Sequence, residues 1–296
     1  MKTLRHVLEF AAFQCISWIL GMFPLPVARA IGRRLAVFMY NRLGFRRTII
    51  RENLKLAFPD LPESERERIA EGAFRNVGVS LIELLWFPRL TELSAKSLVR
   101  IDQDEVLDQC IRRGKGVVLL TAHIGNWELI PISVHLQKGV PFYSLYKPQS
   151  NRWIDRQILS RRTRFGTGVI PMGMGIREIL RALQDGGCIL IAADQSAPKE
   201  SIRIPFFGRE VPVFQGPAVF CLKTGASMLA TYCVRLPDDS YALRMKEIRT
   251  SDLSYSDEAV QELTQRHHEE TERIIREYPD QWMWMHRRWK HSEDGS

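Results

Sequence analysis

His123 and Glu128 are the residues in this sequence whose types and spacing most directly suggest chemistry. An apolar run, Gly116-Val117-Val118-Leu119-Leu120-Thr121-Ala122, leads into the histidine and predicts a buried strand. Gly125 and Asn126 punctuate the chain, and a helix is expected to begin at Glu128-Leu129-Ile130. The histidine therefore falls at the carboxyl end of a strand, the edge of an open α/β sheet where ligands bind. On one continuous helix, residues five apart would point about 140° away from each other. The pair can meet only if the chain turns at Gly125-Asn126. Glu128 would then hold one imidazole nitrogen and leave the other as a general base toward a hydroxyl. The plain alternative is a helix-capping histidine beside a solvated glutamate.

No protein nucleophile accompanies the pair. The sequence has no Gly-x-Ser-x-Gly elbow, His-Glu-x-x-His pair, phosphate-binding loop or dinucleotide fingerprint. Direct attack by a substrate hydroxyl or by water suits such a site, and no cofactor is expected. A metal-dependent hydrolase would need a third ligand at suitable spacing, which is missing. The five cysteines form no Cys-x-x-Cys pair and are odd in number, which speaks against a disulfide framework and for small apolar roles in a reducing compartment.

The elements that must position these residues follow from periodicity. Helices are expected over 48–58, 63–87, 104–113, 151–164, 174–185, 216–225 and 256–277. Strands are expected at 140–146, 169–171, 188–193, 228–235 and 241–248. This alternation predicts an α/β fold, a mixed central sheet flanked by helices. Asp194 closes a buried strand as His123 does, so the two would face one crevice. Asp194 could orient His123 or bind a substrate, and a turn cap is the plain alternative; Gln195 could share the site or hold local backbone.

Residues 7–28 are largely apolar but include Glu9 and Gln14, so the run is marginal for the roughly 20 residues a bilayer span needs. Arginines cluster after it, which would keep the following domain on the cytoplasmic side. Residues 27–43 carry an amphipathic pattern suited to a membrane surface. Two regions are expected: an N-terminal membrane anchor with its amphipathic segment over 1–45, and a catalytic domain over 46–296. A buried amino-terminal helix of a soluble protein is the alternative.

The net charge of +8 favours an anionic partner. Arg152, Arg156, Arg161, Arg162 and Arg164 form a basic run fit for phosphate, although a solvated helix face is the common fate of such a run. Trp282, Trp284 and Trp289 alternate with His286, Arg287, Arg288 and Lys290, as membrane-interface or cation–π residues would, and core packing with exposed charges is the equal alternative. No nucleic-acid-binding fold signature supports a nucleic-acid partner.

His123-x4-Glu128 after an apolar strand resembles the His-x4-Asp/Glu motif of the glycerolipid acyltransferase superfamily. The fuller stretch through Gly125, Asn126 and Trp127 is similar to the bacterial lipid A late acyltransferases, the lauroyl and myristoyl transferases. Tyr146-Lys147-Pro148 with Asn151 resembles that family's Tyr-Arg-Pro…Asn block, with lysine in place of the usual arginine. Ala193-Asp194-Gln195 with Pro205-Phe206-Phe207-Gly208, and Gln281-Trp282-x-Trp284-x-His286-Arg287-Arg288-Trp289-Lys290, resemble its later blocks. The resemblance implies a glycerolipid acyltransferase-like fold on the inner membrane, its catalytic domain on the cytoplasmic side. It implies transfer of a fatty acyl group from acyl carrier protein to a hydroxyl of a lipid A precursor, without a cofactor. It carries His123 over as the base and Glu128 as its orienting partner, and points to Arg164, Asp194, Gln195, Asn126, Lys147 and Asn151 for substrate binding. A lysophospholipid or another glycolipid is the alternative acceptor, and a non-catalytic anionic-lipid-binding module the alternative of a different class.

Overall fold

The structure is a computed structural model that describes residues 2–102, 104–173 and 175–292. Four helices open the chain: α1 (Lys2–Gly21), α2 (Leu25–Asn41), α3 (Arg47–Ala57) and α4 (Glu63–Trp86). There follow α5 (Glu92–Leu98), β1 (Val99–Ile101), α6 (Asp104–Arg112), β2 (Val117–Thr121) and α7 (Leu129–Lys138). Next come β3 (Phe142–Tyr146), α8 (Arg152–Arg162), β4 (Gly168–Pro171), α9 (Ile176–Gln184) and β5 (Cys188–Ala192). A hairpin, β6 (Arg203–Phe206) and β7 (Arg209–Pro212), precedes α10 (Gly216–Thr224), β8 (Ser227–Arg235), β9 (Tyr241–Ile248) and α11 (Asp257–Glu277). The architecture is a mixed α/β fold around a mostly parallel sheet.

Seven strands pair in the order β1-β9-β8-β2-β5-β3-β4. The run from β8 to β4 is parallel, β9 is antiparallel to β8, and β1 follows β9 in parallel. β2 is buried along its whole length, as a parallel strand covered on both faces must be. Its alternate side chains supply two cores. Val118 and Leu120 pack with Ile189, Ile191 and the buried tryptophans on one face. Val117 and Leu119 pack with Cys188, Leu190 and residues of α5–α7 on the other. The neighbours β2 and β5 end level, with Thr121 opposite Ala192. That alignment brings the residues after both strands to one edge.

The short β1, α5 and the β6–β7 hairpin fall outside the segments expected from the sequence. Pro205 sits in a two-stranded ribbon apart from the main sheet, where a missing amide donor is tolerated.

The apolar amino-terminal run does not form one rod. Pro24, with an extended ψ of 150°, separates α1 from α2. Among the described residues, no helix is long and apolar enough to cross a membrane; the run forms two helices that each pack on α4. α2 packs closely on α4 through small residues: a Cβ on Gly78 would come 2.6 Å from the Ala36 Cβ, which only glycine avoids. Arg29 of α2 makes a buried 2.6 Å ion pair with Glu83 of α4. The outward faces of both helices keep large apolar side chains in the open, Trp18 at 71% exposure and Phe38 at 52%. Each such side chain forgoes roughly 1.5–3 kcal/mol of burial, a cost that a surface lying in solvent does not recover.

Candidate active site

The turn from β2 into α7 is built by backbone fit. Gly125 has φ +56°, and a Cβ there would lie 1.8 Å from the Cys233 carbonyl oxygen, so both conformation and space demand glycine. The Gly125 amide donates to the Gln281 carbonyl at 3.1 Å, and the Asn126 amide to that of Cys233 at 3.0 Å. Asn76 and Ser80 of α4 donate to the Gly125 carbonyl at 3.0 and 2.8 Å. His123 is tied in by its own carbonyl, which accepts from the Met283 amide at 2.9 Å.

Asp194, not Glu128, holds the imidazole. His123 Nδ1 lies 2.8 Å from Asp194 Oδ1, and the His123 backbone amide donates to Oδ2 at 2.9 Å. Trp282 Nε1 donates to the same Oδ2 at 2.7 Å. Burial alone would raise the Asp194 pKa, but the charge and hydrogen bonds of His123, with the indole behind them, hold it down to about 2. An ionised carboxylate donates nothing, so Nδ1 must carry the proton and Nε2 must present its lone pair. Burial also works against a charged imidazole, yet the Asp194 carboxylate outweighs it and raises the His123 pKa above the ordinary value. The imidazole Nε2 accepts a long contact of 3.4 Å from Gln195 Nε2, weak enough for a bound hydroxyl to replace. The Trp127 ring meets the imidazole edge-on at 4.8 Å and limits its rotation.

Glu128 points elsewhere. Arg162, at the end of α8, grips it with Nε to Oε2 at 2.7 Å and Nη2 to Oε1 at 2.5 Å, a two-pronged pair. Trp127 Nε1 adds a third bond to Oε1 at 3.1 Å. Burial opposes ionisation of Glu128, but Arg162 lowers its pKa below the usual carboxylate range. Among the described residues no hydrogen bond joins Glu128 to His123, so its expected place as the orienting partner is corrected. The turn at Gly125-Asn126 sends the side chain toward α8, and β5 supplies the acid at the imidazole.

The remaining candidates separate clearly. Arg164, the expected phosphate ligand, donates instead to the carbonyls of Phe87 and Pro88 at 2.9 and 2.5 Å and braces the end of α4. Asn126 is fully buried; it donates to Glu83 Oε2 at 2.6 Å and accepts from the Glu128 amide at 3.1 Å. Asn151 caps α8, accepting from Trp153 and Ile154, and donates to the His6 carbonyl of α1 at 2.9 Å. Lys147 is exposed on the segment after β3. Three arginines of the basic run are exposed: Arg152, Arg156 and Arg164. Arg161 is buried against Ser17, Leu84 and the Phe13 ring, so only Arg162 among the five reaches Glu128. The tryptophans 282, 284 and 289 are 2%, 1% and 3% exposed. They are core, not membrane interface, and their link to function runs through the Trp282 bond to Asp194.

Behind the turn lies Glu83, which the sequence reading passed over. It is 2% exposed and meets Arg29, Arg235, Asn126 and the Tyr241 hydroxyl. A lone carboxylate inside the apolar stretch Val77–Trp86 was the available signal, since acids are almost never fully buried unless paired. No thiol competes as a nucleophile near this site: burial pushes the pKa values of Cys110, Cys188, Cys221 and Cys233 upward.

A histidine held by a carboxylate at the carboxyl edge of a mostly parallel sheet is an arrangement that α/β enzymes use to activate a bound hydroxyl. Residues 1–291 match the family model described as bacterial lipid A biosynthesis acyltransferase, and the chain belongs to that family. It is an acyltransferase. It is similar to the lipid A biosynthesis palmitoleoyltransferase of Escherichia coli (strain K12), 27% identical over 280 residues covering 93% of this chain and 89% of that protein. The lipid A biosynthesis lauroyltransferase of the same strain is 25% identical over 291 residues, 95% of this chain and 90% of that protein. A phosphatidylinositol mannoside acyltransferase of Mycolicibacterium smegmatis is 26% identical over 180 residues, 60% of this chain and 57% of that protein.

Proposed function

We propose that the protein moves a fatty acyl chain from the thioester of acyl carrier protein to a hydroxyl of a lipid A precursor, at the cytoplasmic face of the inner membrane and without a resident cofactor. The observation that carries this reading is an imidazole whose Nδ1 is bound to Asp194 at 2.8 Å and whose Nε2 meets, among the described residues, a long 3.4 Å contact from Gln195 that a bound hydroxyl can displace. The acceptor hydroxyl gives its proton to Nε2 as its oxygen attacks the thioester carbonyl. The tetrahedral adduct then collapses, the C–S bond breaks, and the leaving thiolate takes the proton back from the imidazolium. An ester and a free carrier thiol result, and His123 returns to its starting state. Asp194 stays ionised throughout and stabilises the imidazolium, and Gln195 is placed to meet the attacking oxygen. Glu128 serves by fixing Arg162, whose remaining donors are free for an anionic or hydroxyl group of the acceptor. A general base of this kind contributes about 10²–10⁴-fold.

Two features support the partners. The +8 charge suits an acidic carrier protein and a phosphorylated acceptor. The apolar outer faces of α1 and α2 suit a helix pair lying in the membrane interface, where the acceptor resides. The likeness to a phosphatidylinositol mannoside acyltransferase favours a second reading, in which the acceptor is a different glycolipid.

The decisive experiment gives purified protein an acyl carrier protein thioester together with a lipid A precursor or a mannosylated phosphatidylinositol, and weighs the products by mass spectrometry. Acylation of the first alone supports the lipid A reading, and acylation of the second alone replaces it. His123→Ala should lose about 10²–10⁴-fold in kcat while melting as the parent protein does. A His123→Ala variant that turns over at the parent rate ends the base assignment.

A further inference from the structure

Three arginines around one hollow on the outer side of the α2–α4 pair are without partners. Arg34 of α2, Arg42 just past its end and Arg75 of α4 are exposed. Among the described residues none of their guanidinium groups makes a hydrogen bond or ion pair to the protein. With Arg33, Val37 and Phe38 they line a hollow of about 660 Å³. Arg33 differs from them, because Asp239 holds it two-pronged at 2.8 and 2.9 Å. The nearest carboxylates line an adjoining hollow and are largely engaged: Arg47 and Arg51 hold Glu67, and Asn41 donates to Glu71. Asp280, packed against Gly72, lines that adjoining hollow together with Arg68 and Arg75. Three like charges facing one space repel one another unless an anion joins them.

The floor and surroundings say what sort of anion. Phe38 belongs to a stripe of exposed apolar side chains on α2 with Ile31 and Leu35, at helical spacing. Arg34 and Arg42 flank Phe38 one turn on either side. A free phosphate has no use for such a floor; a phosphate carried on an acyl chain meets both parts.

We propose that Arg34, Arg42 and Arg75 form a headgroup site for an anionic phospholipid of the bilayer on which α1 and α2 rest, distinct from the acyl-transfer site at His123. This rests on the membrane-surface reading given above. The lipid phosphate lies among the guanidinium forks and its acyl chains follow the α2 stripe. The site would fix how the helix pair sits on the membrane, and so the height at which the His123 edge meets a lipid acceptor.

The test is cosedimentation of the full chain with vesicles of phosphatidylcholine, and with vesicles one third phosphatidylglycerol. Wild-type protein should prefer the anionic vesicles. Replacing all three arginines by glutamine should cost about fivefold per arginine, on the order of a hundredfold together, on anionic vesicles only. Binding to phosphatidylcholine and turnover of a detergent-dispersed acceptor should stay at the parent level. Leu35→Glu with Phe38→Glu should weaken binding to both vesicles. A triple variant that keeps the parent preference overturns the site and leaves the membrane reading standing. Wild-type protein that sediments with neither vesicle overturns the membrane reading, and the site with it. A triple variant with unchanged vesicle binding but a raised KM for the carrier thioester overturns the lipid site in favour of a carrier docking surface.

Discussion

Two buried acids stand on opposite sides of the turn that follows β2. Asp194, 3% exposed, and Glu83, 2% exposed, each face cationic or protonatable partners. Glu83 is surrounded: Arg29, Arg235, Asn126 and Tyr241 occupy its oxygens, and burial is outweighed by the two arginines so that its pKa falls. Glu83, Asn126 and Tyr241 are sealed from solvent, so that cluster presents none of their atoms to a substrate. Asp194 is just as fully engaged, but one of its donors is an imidazole, and that ring has a second nitrogen facing the crevice. The difference is what separates a structural cluster from a chemical one. Both lower a carboxylate pKa by pairing it, and only the histidine passes the effect on to an accessible atom.

Asp194→Asn strikes the chemical side of that comparison hardest. Oδ2 accepts from two fixed donors, the His123 amide and Trp282 Nε1, so the carboxamide oxygen must occupy its place. The amide NH₂ then faces Nδ1, forces the imidazole proton onto Nε2 and removes the base. The expected loss in kcat is about 10²–10⁴-fold. The pH profile adds an independent reading. The proposed base must be neutral to act, and the pKa of His123 is raised above the ordinary value of about 6.5 because Asp194 outweighs burial. The acid limb of kcat/KM therefore lies above that value in the parent protein, with activity falling as pH drops through it. Without the carboxylate, the residual activity should have its acid limb at lower pH. An unmoved limb would mean that Asp194 does not set the protonation of His123.

Glu83→Ala strikes the structural side. It strands the buried Arg29 guanidinium and the Tyr241 hydroxyl and takes one partner from Arg235, which keeps Asn76 and Ser80; breaking a buried ion pair from one side costs about 3–5 kcal/mol. Chemical denaturation should show that loss. Below the lowered melting point, the acid limb should stay where the parent has it, because Glu83 makes no bond to His123. A shifted limb with unchanged stability would reverse the two roles.

The sequence makes one half of this contrast readable and hides the other. β2 and β5 announce themselves as short apolar runs, and a polar residue after each is enough to place His123 and Asp194 at one edge. Which acid touches the imidazole is another matter. The nearby Glu128 looked the natural partner by spacing, but its direction depends on Gly125 at φ +56° and on a contact with Cys233 that only the folded sheet supplies. Asp194 wins from seventy-one positions away because β5 lies beside β2. The tryptophan-rich carboxyl end left two readings open in the sequence. Alternating Trp and cation suggested an interface, yet the segment threads through the body with its backbone bonded to His123 and Gly125, and its indoles become core.

Arg162 and Arg164, two positions apart, provide the gentlest and most discriminating break. Arg162→Ala leaves Glu128, 9% exposed, with a buried charge and only the Trp127 indole to meet it. An unsatisfied charged group of this kind costs about 1–3 kcal/mol or more, and the Glu128 pKa should climb as burial goes unopposed. Turnover should fall with it, and Arg162→Lys should restore charge but not the fork. Arg164→Ala removes donors from the carbonyls of Phe87 and Pro88, on an exposed surface where water replaces them. Its cost should be about 0.5–1.5 kcal/mol in denaturation, with kcat and KM for the acceptor unchanged. The comparison turns on that last number. If Arg164→Ala raises the acceptor KM and Arg162→Ala does not, the Glu128 pair belongs with Glu83 among the structural clusters, and the acceptor is held from the rim instead.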